Sequence, residues 1–219
     1  MANTNLITLS DSRSEAAEAF RSLRTNLMFS SVEDPIHTLL VSSAAREDDK
    51  STLLANLAVT FAQSGNKTIV VDCDLRRPAQ HTIWGLENER GLTTMMLEDA
   101  ALSSPPLQAT SVDDLQILPT GPLPPNPADV LSSQRMNEIV GLLKARANYI
   151  LFDSPPVLAA TDAALLGSKL DGMLLAVRAG QTRREDVARA REALERVHVR
   201  IVGAVLTNAP HERAVGGYN

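Results

Sequence analysis

Cysteine and aromatic residues are nearly absent from this chain. One cysteine, Cys73, among 219 residues excludes an internal disulfide and suits a reducing compartment. Aromatic side chains make up 3% of the sequence, so leucine, valine, isoleucine and alanine must fill the core. No apolar run approaches the ~20 residues of a membrane-spanning helix, and the N-terminus shows no signal-peptide pattern. The chain is therefore expected to be soluble, with any membrane association supplied by a partner or by sequence outside it. Basic residues do not prevail: 21 Lys and Arg against 26 Asp and Glu leave a formal net charge of −5. That balance argues against a broad nucleic-acid-binding surface. The four histidines, His37, His81, His198 and His211, are scattered without metal-ligand spacing.

A further absence is local. The apolar run Ile36, Leu39, Leu40, Val41 leads into Ser42-Ser43-Ala44-Ala45-Arg46-Glu47-Asp48-Asp49-Lys50-Ser51-Thr52, and an amphipathic helix with Leu53, Leu54, Leu57 and Phe61 leads out. Strand, loop, Lys-Ser/Thr and helix in that order are the setting of a phosphate-binding loop. Such loops need glycine, because the backbone must curl until several N–H groups face one anion, often at positive φ. Here the loop contains no glycine, and Glu47, Asp48 and Asp49 stand before Lys50. Two unit charges about 4 Å apart repel by roughly 4 kcal/mol at an effective dielectric near 20. Three carboxylates beside a triphosphate outweigh one lysine unless they swing outward. Asp49 is also a candidate N-cap for the helix beginning at Lys50, and Glu47 a candidate occupant of the vacated anion nest. The expectation is a nucleotide site that has lost its nucleotide.

What remains is an alternation of strand-like and helix-like segments, which predicts an α/β fold with a mostly parallel sheet and helices on both faces. The 44% hydrophobic content suits one domain spanning 1–219. A helix is predicted over Ser14–Phe29, within an N-terminal segment 1–30. Strands are predicted at Lys67–Val71, Leu115–Leu118, Tyr149–Phe152, Gly172–Val177 and Ile201–Leu206. Asn126 and Pro127 are predicted as N-cap and first residue of a helix running to about Arg146. A charged helix follows around Thr182–Arg196, and the Gly-containing segment 210–219 reads as a flexible tail. Asp72, Asp74 and Asp153 then lie at strand C-terminal ends, where open α/β sheets place their sites. Cys73, between two aspartates, is expected to be inert.

Four motifs in order carry a family resemblance. They are Asp72-Cys73-Asp74-Leu75-Arg76-Arg77-Pro78, Ile150-Leu151-Phe152-Asp153-Ser154-Pro155-Pro156, Gly121-Pro122-Leu123-Pro124-Pro125-Asn126-Pro127, and Glu18-x-x-Arg21-x-x-Arg24. Together they resemble the second Walker motif, Walker B segment, proline-rich loop and oligomerisation motif of the bacterial tyrosine kinases (the BY-kinases) of capsule and exopolysaccharide export. The likeness runs from Glu15 to Asn208 and implies a P-loop NTPase-like fold.

In active members, the resemblance implies, the loop lysine and serine contact phosphate and metal while the aspartates hold metal waters and activate a tyrosine hydroxyl. Lys50, Asp72, Asp74 and Asp153 occupy the catalytic positions, and Ser51, Asp72 and Asp153 those of the metal site. Without nucleotide, these aspartates are expected to pair with Lys50 or Arg76. The nucleotide-binding segment is Glu47, Asp48, Asp49, Lys50, Ser51 and Thr52, with Asn208 or Thr207 near an adenine. Active members also carry a tyrosine cluster in the tail. This chain has two tyrosines, of which Tyr149 is predicted in a buried strand, leaving Tyr218 for phosphorylation. Both departures point to a pseudokinase, a non-enzyme with no cofactor and a scaffolding role in polysaccharide synthesis and export. The alternative is a weak tyrosine autokinase that uses Mg-ATP. A partition-type ATPase ranks third, because the extra lysine near the start of its loop is replaced by Ala44-Ala45. The implied partners are a transmembrane polysaccharide chain-length regulator and copies of itself or of an active BY-kinase, at the inner face of the cell membrane. Glu18, Arg21 and Arg24 lie along one helix face and are the candidate oligomer contact.

Overall fold

The computed structural model describes residues 6–30, 34–45 and 49–209. Glu47, Asp48 and Tyr218, and the tail predicted over 210–219, lie outside the described residues. In chain order the elements are α1 (Ile7–Ser10), α2 (Glu15–Phe29), β1 (Thr38–Ser43), α3 (Lys50–Gln63), β2 (Thr68–Asp72), α4 (Gln80–Trp84), α5 (Leu92–Leu97) and α6 (Asp99–Ser103). There follow β3 (Gln108–Ala109), β4 (Leu115–Leu118), α7 (Pro127–Ser132), α8 (Gln134–Lys144), β5 (Tyr149–Asp153), α9 (Asp162–Gly167), β6 (Gly172–Arg178), α10 (Arg184–Glu195) and β7 (Ile201–Thr207).

The strands form one seven-stranded sheet in the order β3-β4-β2-β5-β1-β6-β7, parallel except for the short edge strand β3. It is a P-loop NTPase-like arrangement with helices on both faces. The period-two alternation of a strand divides its side chains between two cores. Leu40, Ile69, Val71, Ile150, Phe152, Met173 and Leu175 face α5–α10, while Leu39, Val41, Val70, Leu151 and Leu174 face α1–α4. Both faces are covered, so the central strands read as nearly continuous apolar runs.

Local chemistry sets most boundaries. Ser14 caps α2, its hydroxyl accepting from the Ala17 N–H at 3.2 Å. The helix predicted from Asn126 to Arg146 is two helices. Ser133 turns extended (φ −62°, ψ 158°) and its hydroxyl accepts from Met136 N at 3.3 Å, ending α7 and capping α8. Asn126 does precede Pro127 at the first helical position, yet its side chain makes no cap bond. Gly91 permits a close approach that no other residue would allow: an added Cβ would stand 2.1 Å from the Pro119 carbonyl oxygen. That contact seats the loop carrying Gly121–Pro127 against the start of α5.

Candidate functional site

The parallel register places the site. β5 lies between β1 and β2, with Val41 beside Asp153 on one side and Asp72 beside Asp153 on the other. Two carboxylates are thereby fixed at one level of neighbouring strands, next to the loop that leaves β1. Asp72 and Asp153 are fully buried, and Asp74 nearly so.

Lys50, the first residue of α3, turns into this cluster. Its Nζ donates to Asp74 Oδ2 and Asp153 Oδ1, both at 3.0 Å, and to Ser51 Oγ at 3.2 Å. Burial opposes the Lys50 charge, but Asp153 and Asp74 outweigh it and hold its pKa above the ordinary lysine value. The expected pairing of these aspartates with Lys50 holds for Asp74 and Asp153. Arg76 instead forms a bidentate pair with Asp162, at 2.9 and 3.0 Å.

Asp72 has no lysine contact of that kind. Its Oδ2 accepts from the N–H groups of Ala79 and Gln80, each at 2.9 Å, and its Oδ1 from Asp74 N at 3.2 Å. Burial, reinforced by the Asp153 charge, pushes its pKa up to about 8 against the pull of those N–H donors. Cys73 is buried and its thiol is raised, by burial first and then by the flanking carboxylates, which leaves it without thiolate character.

Above the cluster lies a cleft of about 380 Å³, bordered by Ser43, Asp49, Lys50, Ser51, Asp74 and Arg77. Among the described residues the first bond into α3 runs from Leu53 N–H to the Asp49 carbonyl, and the N–H groups of Lys50, Ser51 and Thr52 have no intrahelical acceptor there. Asn208 and Thr207 are not among the residues bordering this cleft. A smaller cleft joins Arg76 to Pro125, Asn126 and Pro127, so the proline-rich loop adjoins the site.

Asp49 departs from the expected geometry. It takes the left-handed conformation (φ 53°, ψ 23°), although it is not glycine. Its side chain makes no cap bond to α3; it lies 3.2 Å from Arg178 Nη1, at the end of β6. Loop charge alone would set this carboxylate against the phosphate site. β6 neighbours β1, and so supplies a counter-charge that the local sequence does not contain.

The three charges of the N-terminal motif are divided. Arg21 and Glu18 pair on the surface of α2 at 2.6 Å, whereas Arg24 donates to the Thr60 carbonyl on α3 at 2.8 Å. Tyr149 is partly buried at the start of β5, with its ring 4.4 Å from that of Phe61. Sequence reasoning missed Gln80, Trp84 and Arg178, which carry no motif signal. Gln80 stands two places after Pro78, at the close of the second Walker segment, and that adjacency is the one hint available.

The CobQ/CobB/MinD/ParA nucleotide binding domain family matches residues 49–214. Tyrosine-protein kinase YwqD of Bacillus subtilis (strain 168) is 40% identical over 202 residues, covering 92% of this chain and 85% of that protein. The crystal structure of the chimerical protein CapA2B2 superposes with a TM-score of 0.89 at 32% identity, covering 94% of this chain and 90% of the other. The kinase domain of Escherichia coli tyrosine kinase ETK also gives 0.89, at 28% identity, covering 100% and 87%. These relatives correct the expectation that the chain is not an enzyme, since proteins this similar over this length are named tyrosine-protein kinases. The expectation rested on the charged, glycine-free loop and on the missing tyrosine cluster of the tail, and its charge argument left out both the Arg178 counter-charge and the left-handed backbone that Asp49 adopts. The chain belongs to the CobQ/CobB/MinD/ParA nucleotide-binding domain family and, within it, to the bacterial tyrosine-protein kinases.

Proposed function

We propose that this chain is an Mg-ATP-dependent protein-tyrosine kinase of polysaccharide synthesis and export. The observation that carries the reading is the convergence of Ser51, Asp74 and Asp153 within hydrogen-bond reach of the Lys50 nitrogen, beneath an open cleft that Lys50, Ser51 and Asp74 border. The donor set suits the ligand. Mg²⁺ takes one or two carboxylates, a hydroxyl and phosphate oxygens and keeps several waters. Among the described residues no three His, Cys, Asp or Glu side chains converge to cage a metal by themselves. A cation sharing its ligation with phosphates needs no such cage.

In this reading Lys50, with the N–H groups at the start of α3, binds the phosphates, and Ser51, Asp72 and Asp153 hold the metal and its waters. Bound Mg-ATP supplies the transferable phosphoryl group and the charge that stabilises its transfer. Lys50 is now shared between two carboxylates, and its move to phosphate would release an oxygen on each of Asp74 and Asp153. One such oxygen can accept the proton of a tyrosine hydroxyl. Tyr149 is packed against Phe61 within the fold, so the acceptor is Tyr218 or a tyrosine of another protein.

The partners in this reading are a transmembrane chain-length regulator and further copies of this or a related kinase, met through Glu18 and Arg21 at the inner face of the membrane. No helix among the described residues is long and apolar enough to cross a membrane, so that attachment falls to a partner or to other sequence. A partition-type ATPase shares the domain family, and no feature of this chain favours it.

A thermal melt with millimolar Mg-ADP tests the reading, followed by phosphotyrosine mass spectrometry after incubation with Mg-ATP. At a hundredfold excess over Kd, binding to the native state adds about 2.7 kcal/mol. For a domain this size that is a rise of roughly 5–10 °C. An unmoved midpoint together with unmodified tyrosines would refute it.

A further inference from the structure

Gln80 is a buried polar residue that belongs to none of the four motifs. It opens the short helix α4 and is wholly inaccessible to solvent. Its side-chain Nε2 donates to Asp153 Oδ2 at 2.8 Å and to the Ser51 carbonyl at 3.1 Å. Its Oε1 accepts from Trp84 Nε1 at 3.2 Å, and its backbone N–H serves Asp72 at 2.9 Å. The amide orientation is dictated by its partners. An indole N–H can only donate, while an ionised carboxylate and a carbonyl can only accept. The oxygen must therefore face Trp84, and the nitrogen must face Asp153 and Ser51.

One residue thus touches Asp72, Asp153 and the backbone at the start of α3. Asp153 has two oxygens: Gln80 engages Oδ2, and Oδ1 turns to Lys50. Without the Gln80 amide, the carboxylate could rotate about its last bond and present either oxygen to the site. Trp84 prevents the reverse error, since a flipped amide would set its oxygen against the Asp153 carboxylate and leave the indole N–H unpartnered in the core.

We propose that Gln80, oriented by Trp84, is a positioning residue that fixes the Asp153 carboxylate and the Ser51 backbone for metal-assisted nucleotide binding. The inference rests on the kinase reading above and concerns a residue outside the family motifs. Outer-partner changes of this type typically cost about 10–100-fold in metal affinity. The effect should fall mainly on the metal-dependent part of binding, because the Gln80 amide grips Asp153, which holds the metal in that reading, while Lys50, which meets the phosphates, bonds to the other Asp153 oxygen.

The test uses the full chain and its single tryptophan. ADP affinity is measured by calorimetry with Mg²⁺ and with EDTA, for wild type, Gln80→Leu and Trp84→Phe. The expected result is that Gln80→Leu loses about tenfold or more of the Mg²⁺-dependent gain in affinity. Affinity in EDTA should change less than about twofold. Trp84→Phe, which removes one N–H and keeps an aromatic ring, should lose an intermediate part, and it carries the test if Gln80→Leu does not fold. Wild-type Trp84 emission should also respond to Mg-ADP more than to ADP in EDTA. Variants that melt lower but keep the wild-type ratio of the two affinities would show a purely structural role and overturn the inference. Calorimetric binding of Mg-ADP with unchanged Trp84 emission would overturn it too. In both of those cases the kinase reading survives. Failure of wild type to bind ADP in either condition removes that reading, and this inference with it.

Discussion

Replacing Asp49 by glycine separates its backbone role from its charge. The residue stands at φ 53° and its carboxylate is 3.2 Å from Arg178. Left-handed backbone costs a non-glycine residue on the order of 1 kcal/mol, which glycine removes. Glycine also gives the unfolded chain more freedom, a destabilisation of roughly 0.5–1 kcal/mol. The lost ion pair is partly exposed and contributes about 0–1 kcal/mol. These terms nearly cancel, so Asp49→Gly should change stability by no more than about 1 kcal/mol. In a domain of this size that is a midpoint shift within roughly 4 °C. Nucleotide affinity should respond more. One negative charge a few ångströms from phosphate in a water-filled cleft is worth about 1 kcal/mol. The Kd for Mg-ADP should then fall about fivefold. Calorimetry at low salt reads the affinity, and the difference between variant and wild type should shrink in 0.5 M salt, where the screening length is only about 3–5 Å. An unchanged Kd would show that the Asp49 charge does not reach the ligand. A midpoint lowered by more than about 8 °C would show that the carboxylate itself holds the loop in place and that relief of the left-handed backbone does not compensate for its loss.

Two further outcomes follow from the geometry. Asp72 loses its proton near pH 3.8 when unfolded but near pH 8 when folded. Between those values the native state binds more protons than the unfolded state, so its contribution is full below pH 4 and is lost as pH rises through about 8. The nucleotide-free chain should melt higher at pH 5 than at pH 8.5, with that slope reduced in Asp72→Asn; an equal slope in the variant would assign the effect elsewhere. Arg21→Ala removes a surface pair with Glu18 and a surface hydrogen bond to the Ser12 carbonyl, and should lower the melting midpoint by no more than about 4 °C. Because Arg21 is the motif arginine still at the surface, the same change should lower the mass of any assembly measured by light scattering, and an unchanged mass would move the oligomer contact off this face.

The fold was largely written in local pattern. The apolar runs at Leu39–Val41, Ile69–Val71, Ile150–Phe152 and Gly172–Val177, each followed by turn chemistry, suffice for a parallel sheet covered on both faces. Periodicity and strand length are properties of a few consecutive residues, and they survive folding unchanged. Asp72, Asp74 and Asp153 were legible for the same reason: each sits at or just beyond the C-terminal end of a strand, and parallel strands bring such ends to one edge of the sheet whatever their order. The break at Ser133 was harder to foresee, because Asn126 to Arg146 is apolar at helical spacing on both sides of it.

The sequence by itself therefore determined the sheet, the motif-bearing strand ends, and the unusual charge and missing glycine of the loop. Tertiary structure alone decided where the Asp49 share of that charge goes. Arg178 meets Asp49 because β6 lies beside β1, and Arg24 parts from Glu18 and Arg21 because α2 packs on α3. Gln80 reaches Asp153 because β2 lies beside β5 and α4 starts just beyond the end of β2. Pairings of this kind depend on strand order and on the reach of single side chains. No window of neighbouring residues contains either quantity, so a charge that looks prohibitive in the chain can be neutralised in the fold.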